Sequence, residues 1–228
     1  MEYEPTMPIR DSIELRQEII DACLFLTKIG FCIGTWGNIS CRVEEGLLIT
    51  PSRVDYETMT PDDFVVVDWD GTKVSGERLP SSEMHLHRML MLRRPDFGAI
   101  IHSHSPYASS VAAACKSIPV SVDDMAQIIG DEVKCGGYVP GGRHQPLAEE
   151  ACKTIGDHAM AVLLANHGPI VGGRNLQETL VACQVLEKAA MMFIHASMLG
   201  GCLSIPPEHV AEERYRYLFK YGKQADAE

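Results

Sequence analysis

The 228-residue sequence lacks the features that mark several classes of protein. No stretch approaches the run of about 18 apolar residues that a membrane span requires. The first residues, MEYEPTMPIRDS, contain no basic segment followed by an apolar one, as a secretory signal would. Internal repeats, low-complexity tracts and linkers are also missing. We therefore expect a cytoplasmic protein without a membrane partner, folded as a single domain over residues 1–228.

An excess of positive charge is lacking as well, because 20 Lys and Arg stand against 31 Asp and Glu, for a net charge of −11. This balance argues against nucleic acid as the main partner, although backbone amides can still bind a small phosphate locally. The eight cysteines include no CxxC pair, and most of them lie in apolar segments. Their distribution predicts free thiols in a reducing compartment rather than disulfides or a zinc–thiolate site.

Helix signals and apolar patterns alternate along the chain. Caps, prolines and glycines bound the predicted helices, which are 11–30 (with Asp11 and Glu14 as a capping box), 81–94, 105 onward, 146–155, 175–199 and 207 onward. Strand-like segments occupy 46–50, 63–69, 72–76, 98–102, 161–165 and 168–173. Hairpin signals outnumber βαβ units, so the predicted fold is an α/β domain. Its layers are α/β/α, around a mixed, mainly antiparallel central sheet.

Two His-x-His triplets stand close together in the sequence, His85-Leu86-His87 and His102-Ser103-His104. On a strand, residues i and i+2 point to the same face, so His102 and His104 can bind one metal ion together. In the helix predicted for His85 and His87, positions i and i+2 lie about 200° apart around the axis and cannot share an ion. The helix instead pairs Glu83 with His87. The downstream triplet is thus the candidate for metal binding.

Two further residues could complete a metal site with that triplet. Glu83 stands at the start of its helix, where its carboxylate can face a neighbouring strand end. His167 stands at the turn between two apolar strands, where a histidine bonded only to the backbone is the alternative interpretation. Three imidazoles and one carboxylate form a ligand set that suits Zn²⁺ or a similar divalent ion.

Six motifs, in sequence order, carry a resemblance to a known family: GTWGNIS (34–40), LLITPSR (47–53), LPSSEMHLH (79–87), IIHSHS (100–105), CGGYVPGG (135–142) and LLANHGPIVGG (163–173). From Gly34 to Tyr221 the chain resembles the class II aldolase/adducin family, most closely its L-fuculose-1-phosphate aldolase branch. The resemblance implies the class II aldolase-like fold. It also implies Zn²⁺ as the cofactor, with Mn²⁺, Co²⁺ or Fe²⁺ as alternatives. The implied ligands are His102, His104, His167 and Glu83.

The same resemblance implies a pocket for a substrate phosphate. Its residues would be Gly37, Asn38, Ser52, Ser81 and Ser82. Glycine lets the backbone approach a ligand closely, amide and hydroxyl groups donate to phosphate oxygens, and serines at a helix N-terminus add the positive end of the dipole. On local sequence alone, a turn and a helix cap explain these residues equally well.

Arg53 departs from the family pattern, since many members have glycine at this position. A guanidinium there could bind the phosphate through two hydrogen bonds, bind a substrate carboxylate, or turn outward. The departure leaves the substrate and the branch of the reaction open.

The activity implied by the resemblance is reversible cleavage of a ketose 1-phosphate to dihydroxyacetone phosphate and an aldehyde. The substrate would be of the L-fuculose 1-phosphate, 5-deoxyribulose 1-phosphate or 5-methylthioribulose 1-phosphate type. Glu83 would move the proton at the carbon of dihydroxyacetone phosphate, and Tyr138 the proton at the aldehyde oxygen in a neighbouring subunit's site. Tyr221 would help to close the site. The implied assembly is a homotetramer with active sites at the subunit interfaces.

Other activities occur on the same fold. Sugar-phosphate 4-epimerases usually carry aspartate where this chain has Glu83, which disfavours them. Decarboxylases of 3-oxo-acid phosphates share the glutamate, and Arg53 makes them the more serious alternative. A methylthioribulose-phosphate dehydratase is a weaker one. Adducin-like modules use the fold without catalysis, but a structural module would not need the three histidines and Glu83.

Overall fold

A computed structural model, which describes residues 4–221, contains one seven-stranded sheet in the order β4-β3-β2-β1-β5-β7-β6. The strands are β1 Asn38–Val43, β2 Gly46–Ile49, β3 Val65–Val67, β4 Lys73–Ser75, β5 Ala99–His102, β6 Ala161–Leu164 and β7 Gly168–Gly173. All the neighbouring strands pair antiparallel. Among residues 4–221, parallel pairing is confined to the isolated bridges Ile9–Val43 and Cys135–Leu163. The predicted, mainly antiparallel sheet is therefore confirmed.

Helices cover both faces of the sheet. They are α1 Ile13–Lys28, α2 Met84–Arg93, α3 Pro106–Ala113, α4 Asp123–Ile128, α5 His144–Ile155, α6 Leu176–Met198 and α7 Pro207–Phe219. Side chains of α1, α3, α4, α6 and α7 join one buried apolar cluster with one face of the sheet. Side chains of α2 and α5 form a second cluster with the other face. These two clusters make the α/β/α layers that the sequence predicts.

Strand β5 shows how the two layers of core arise. Ala99 and Ile101 belong to one apolar cluster, and Ile100 between them belongs to the other. Because successive side chains of a strand point to opposite faces, a strand covered on both sides is a continuous apolar segment. This explains why AIIH was recognisable as a strand. It also places His102 at the edge of the core, on the same face as Ile100.

Three predicted helix starts differ from the structure, and the smallest difference is that of α5, which begins at His144 rather than at Pro146. The predicted capping box of Asp11 and Glu14 is wrong: the cap of α1 is Ser12, whose Oγ accepts the N–H of Leu15 at 3.2 Å, while Asp11 pairs with Arg16 at 2.6 Å. Helix α2 begins at Met84 with Glu83 as its N-cap residue, later than the predicted start. This shift of one or two residues matters, because the Glu83 side chain makes no capping hydrogen bond and is available to the site.

Strand β1 and helix α4 were not predicted from the sequence. Strand β1 alternates polar with apolar residues, but its first residues resemble a turn, and the strand is recognised only through its pairing with β2 and β5. Helix α4 spans only six residues, too few for a periodic pattern. One more observation concerns α6, whose length and mean hydropathy of 1.2 would by themselves suit a membrane span. It packs on β5, β7, α3 and α4, as the core helix of a folded domain does.

Candidate metal centre and anion pocket

Three histidine side chains converge beside the end of β5. The candidate ligand nitrogens of His102, His104 and His167 lie within 4.8 Å of one another. The Nε2 atoms of His102 and His104 are 2.9 Å apart, and the ring centroids of His102 and His167 are 4.8 Å apart. The structure therefore brings the His-x-His pair together, as predicted, and adds the histidine of the β6–β7 turn.

Backbone hydrogen bonds hold this arrangement beyond the end of the strand. The N–H of Ser103 donates to the carbonyl of Pro169 at 3.3 Å, and that of His104 donates to Phe31 at 2.8 Å. His167 is carried by a tight turn, in which its N–H donates to Leu164 at 3.0 Å. Since β5 and β7 pair side by side, the two chain segments reach the same edge of the sheet.

Glu83 joins the three histidines. Its Oε2 lies 3.4 Å from His102 Nε2, and its Oε1 lies 3.4 Å from His167 Nε2. Asn38 Nδ2 donates to Oε2 at 2.7 Å, from a residue that stands opposite His102 in the β1–β5 pairing. Sequence reasoning selected Asn38 only for a phosphate pocket and missed this bond, for which the sequence offers no signal.

The donor set fits a divalent ion. Ligand atoms about 2.1 Å from a tetrahedral ion lie about 3.4 Å from one another, which matches both distances from Glu83. His102 Nδ1 is 3.0 Å from the carbonyl of Pro169, so Nδ1–H donates there and the lone pair of Nε2 faces the cluster. Two nitrogen lone pairs facing each other at 2.9 Å repel unless a proton or a cation lies between them. A bound cation removes that repulsion.

The protonation states also suit a cation. Burial lowers the pKa of His104 to about 4, assisted by His102 and His167 and opposed by Glu83, so the imidazole is neutral at pH 7. Burial alone would raise the pKa of Glu83, but His102, the Asn38 hydrogen bond and His167 outweigh it, and the pKa falls to about 2. An ionised carboxylate and a neutral imidazole are the forms in which these two kinds of group bind metals.

The upstream histidine pair does not enter the cluster. His87 is completely buried in α2, and its Nδ1 is 2.7 Å from Ser40 Oγ. His85 lies on another side of the helix, partly exposed. The helical argument from the sequence is thus confirmed in its geometry: residues i and i+2 of this helix do not meet, and the residue that α2 delivers to the site is Glu83.

A cavity of about 630 Å³ opens next to the histidines. The four predicted metal ligands line this cavity, and so do all the residues predicted for a phosphate pocket and the neighbouring Arg53. These pocket residues are Gly37, Asn38, Ser52, Ser81 and Ser82. Two loops form its wall, joined by hydrogen bonds from Ser52 N–H to Leu79 and from Ser81 N–H to Thr50, at 2.9 and 3.1 Å. Trp36, whose ring is stacked on His104 with centroids 6.4 Å apart, lines the same cavity and was not predicted.

Backbone donors are available in this wall. Gly37 has a φ of +110°, and a Cβ there would lie 2.6 Å from Cys32 Sγ, so that only glycine fits. Within residues 4–221, the N–H groups of Gly37, Arg53 and Ser82 donate to no protein group. Free N–H groups that line one concavity are the usual backbone site for an anion. The pocket is therefore chemically suited to a phosphate.

The two predicted tyrosines lie outside the cavity lining. Tyr138, in the loop before α5, is 66% exposed, although a side chain at Gly141 of the same loop would come within 3.9 Å of His167. Tyr221 is 64% exposed at the end of the described chain and packs near Tyr217. The catalytic roles expected of both tyrosines stay predictions.

Comparisons with known proteins show the family of this chain. The family model of the class II aldolase and adducin N-terminal domain matches residues 17–194. An L-fuculose phosphate aldolase of Haemophilus influenzae is 37% identical over 194 residues, which are 85% of this chain and 87% of that protein. A 5-methylthioribulose-1-phosphate/5-deoxyribulose-1-phosphate aldolase of Rhodospirillum rubrum is 34% identical over 221 residues, 94% of each chain. A solved L-fuculose 1-phosphate aldolase, 32% identical, superposes with a TM-score of 0.87 and covers 92% of this chain and 99% of its own. Sequence, fold and the converging histidines thus lead to one conclusion, that this chain belongs to the class II aldolase and adducin family.

Proposed function

We propose that this protein is a metal-dependent lyase that reversibly cleaves a ketose 1-phosphate to dihydroxyacetone phosphate and an aldehyde. The observation that carries the proposal is a single cavity in which three histidines and Glu83 adjoin free backbone and serine donors. The names of the relatives support substrates of the L-fuculose 1-phosphate, 5-deoxyribulose 1-phosphate or 5-methylthioribulose 1-phosphate type.

His102, His104, His167 and Glu83 would hold the metal ion, which we propose to be Zn²⁺, with Mn²⁺, Co²⁺ or Fe²⁺ as alternatives. Nitrogen and carboxylate ligands suit all of these ions. A divalent ion bound there supplies Lewis acidity for the negative charge that develops as the carbon–carbon bond breaks.

Glu83 is placed to move the proton at the reacting carbon. Its carboxylate is buried, and burial favours its protonated form, while His102, His167 and Asn38 keep it ionised. When the carboxylate moves away from the imidazoles toward substrate, burial dominates and the group becomes a stronger base. The low pKa in the resting site and a proton-accepting role are compatible for this reason.

The remaining pocket residues would bind and orient the substrate. Gly37, Asn38, Ser52, Ser81 and Ser82 would hold its phosphate with backbone N–H, amide and hydroxyl donors. Such donors fix the reacting bond relative to Glu83, which is how positioning contributes to rate.

The assembly and the tyrosine roles belong to the same proposal. We propose one domain for the whole chain, in the cytoplasm, assembled as a homotetramer with its sites at subunit interfaces. The exposure of Tyr138 supports a role in a neighbouring subunit's site, where it would handle the proton at the aldehyde oxygen. Tyr221 would help to cover the site from the C-terminal end.

The activity is tested with Zn²⁺-loaded protein and a panel of ketose 1-phosphates, by following release of dihydroxyacetone phosphate. Release from at least one of them is the expected result. The second candidate, decarboxylation of a 3-oxo-acid phosphate, is favoured by Arg53 in the cavity wall. No dihydroxyacetone phosphate from any ketose, together with CO₂ from a 3-oxo-acid phosphate, would replace the aldolase by the decarboxylase.

The residue roles are tested by three matched variants. Glu83→Gln should retain most of the metal and lose turnover, because the amide keeps a ligand oxygen but cannot accept the proton. His102→Ala should lose metal, measured by elemental analysis after dialysis. His85→Gln, which removes a histidine of the same segment outside the cluster, should change neither quantity. Full activity in Glu83→Gln would refute the proton-transfer role.

A further inference from the structure

Arg53 is the one cationic side chain that lines the cavity among the residues that the structure describes. It follows Ser52 in the wall that also contains Ser81 and Ser82, and no other Lys or Arg contributes to this lining. In a chain with a net charge of −11, Arg53 therefore supplies the positive side-chain charge of this wall, in a lining that also contains the carboxylate of Glu83.

The backbone of Arg53 is in an unfavourable conformation. Its φ is +59°, in the left-handed region, where a Cβ approaches the following carbonyl and glycine is preferred. Non-glycine residues in this region are often retained at binding sites, where function offsets the strain. Glycine would relieve the strain at this position, so the presence of arginine needs another reason.

Among the described residues, the Arg53 guanidinium has no protein partner, so no contact within this part of the chain explains the arginine. From residue 4 to residue 221, no hydrogen bond, ion pair or ring contact involves the Arg53 side chain, whereas ion pairs hold other arginines, such as Arg16 and Arg78. Its charge and donors are therefore uncommitted, directly beside the free N–H groups of the wall.

We infer that the Arg53 guanidinium binds the substrate's phosphate dianion and makes the site selective for a phosphorylated substrate. The planar guanidinium donates two parallel hydrogen bonds to phosphate oxygens and supplies the positive charge that serine and backbone donors lack. This inference rests on the proposed function for the identity of the substrate. Binding of the anion itself does not depend on turnover.

The test compares Arg53→Gly, Arg53→Gln and Arg53→Lys with wild type. Loss of one charged phosphate contact should raise KM for the ketose 1-phosphate about tenfold to a hundredfold in the glycine and glutamine variants, with a smaller change in kcat. The lysine variant should recover part of the loss. Arg53→Gly should also raise the thermal unfolding midpoint, since it relieves the strain, whereas Arg53→Gln should not. If Arg53 had only a structural role, Arg53→Gly would not combine weaker substrate binding with a higher unfolding midpoint.

A second measurement separates this inference from the proposed activity. Binding of inorganic phosphate to the metal-loaded protein, followed by calorimetry, should weaken by a similar factor in Arg53→Gly even if no ketose phosphate is cleaved. Arg10→Gln removes the same charge from an exposed position outside the cavity and should leave phosphate binding unchanged. Equal phosphate affinity in wild type and Arg53→Gly would overturn the inference. So would a loss confined to carboxylate-bearing ligands, which would assign the guanidinium to a carboxylate instead.

Discussion

The buried His87 makes stability depend on pH in a way that can be measured. It is fully buried, and burial, with a smaller contribution from His102 and some opposition from Glu83, lowers its pKa from 6.5 to about 3. The unfolded chain therefore binds a proton more readily than the folded one. The stabilising contribution of neutral His87 is complete above pH 6.5 and is lost as the pH falls toward 3.

The size of the effect follows from the shift. Each pH unit between the two pKa values removes about 1.4 kcal/mol, so that lowering the pH from 6.5 to 5.0 should remove about 2 kcal/mol through His87 alone. His87→Gln deletes the titrating group and leaves an amide oxygen that can accept from the Ser40 hydroxyl, which lies 2.7 Å from His87 Nδ1. The variant should therefore lose about 2 kcal/mol less than wild type over this range.

The assay is urea unfolding of the metal-free proteins at pH 6.5 and pH 5.0, with a chelator present. The other histidines titrate in both proteins, so their contributions cancel in the difference between the two pH effects. His209→Gln, at an exposed position on α7, is the control and should follow wild type. If wild type and His87→Gln lose the same stability between the two pH values, the reasoning from burial is wrong.

Two further predictions concern packing and loop placement. A Cβ at Gly172 would lie 2.3 Å from ring carbons of Phe97, so Gly172→Ala should lower the free energy of unfolding by about 1–3 kcal/mol. The control is Gly142→Ala, where a Cβ would have no atom within 4 Å, and which should change the free energy of unfolding by less than about 0.5 kcal/mol. Equal urea midpoints for both variants would contradict this. Glu150 Oε1 accepts the N–H of Gly137, in the loop before α5, at 2.7 Å, so Glu150→Gln should speed amide exchange in that loop and lower turnover. Glu149→Gln is the control and should leave both quantities unchanged, because the Glu149 side chain accepts a hydrogen bond from Gln145 on the same exposed helix face. Unchanged exchange in Glu150→Gln would show that the carboxylate does not position the loop.

Much of the fold could be predicted because its signals are local. Short, continuous apolar segments mark β2, β5, β6 and β7, which are buried along their whole length, and glycine and proline bound α6 and α7 where the structure has them. The geometries of a strand and of a helix were enough to choose between the two His-x-His triplets, and the chosen pair is the one that the structure brings together with His167. Where prediction failed, the local signal was weak or ambiguous. Neighbouring polar residues compete to cap α1, and the turn-like start of β1 hides its pairing.

The amino-acid sequence by itself determined which chemistry was available: imidazoles with strand spacing, a carboxylate at a helix start, and small donors at turns. Only the tertiary structure decided which of these groups meet. Asn38 reaches Glu83 because β1 pairs with β5 in one register, and His167 reaches Glu83 because β7 lies beside β5. Among the described residues, the Arg53 side chain has no partner, and its loop is joined to the other loop of the cavity wall by the hydrogen bond from Ser52 to Leu79. Such contacts depend on strand register between distant segments, which no local pattern of residues encodes.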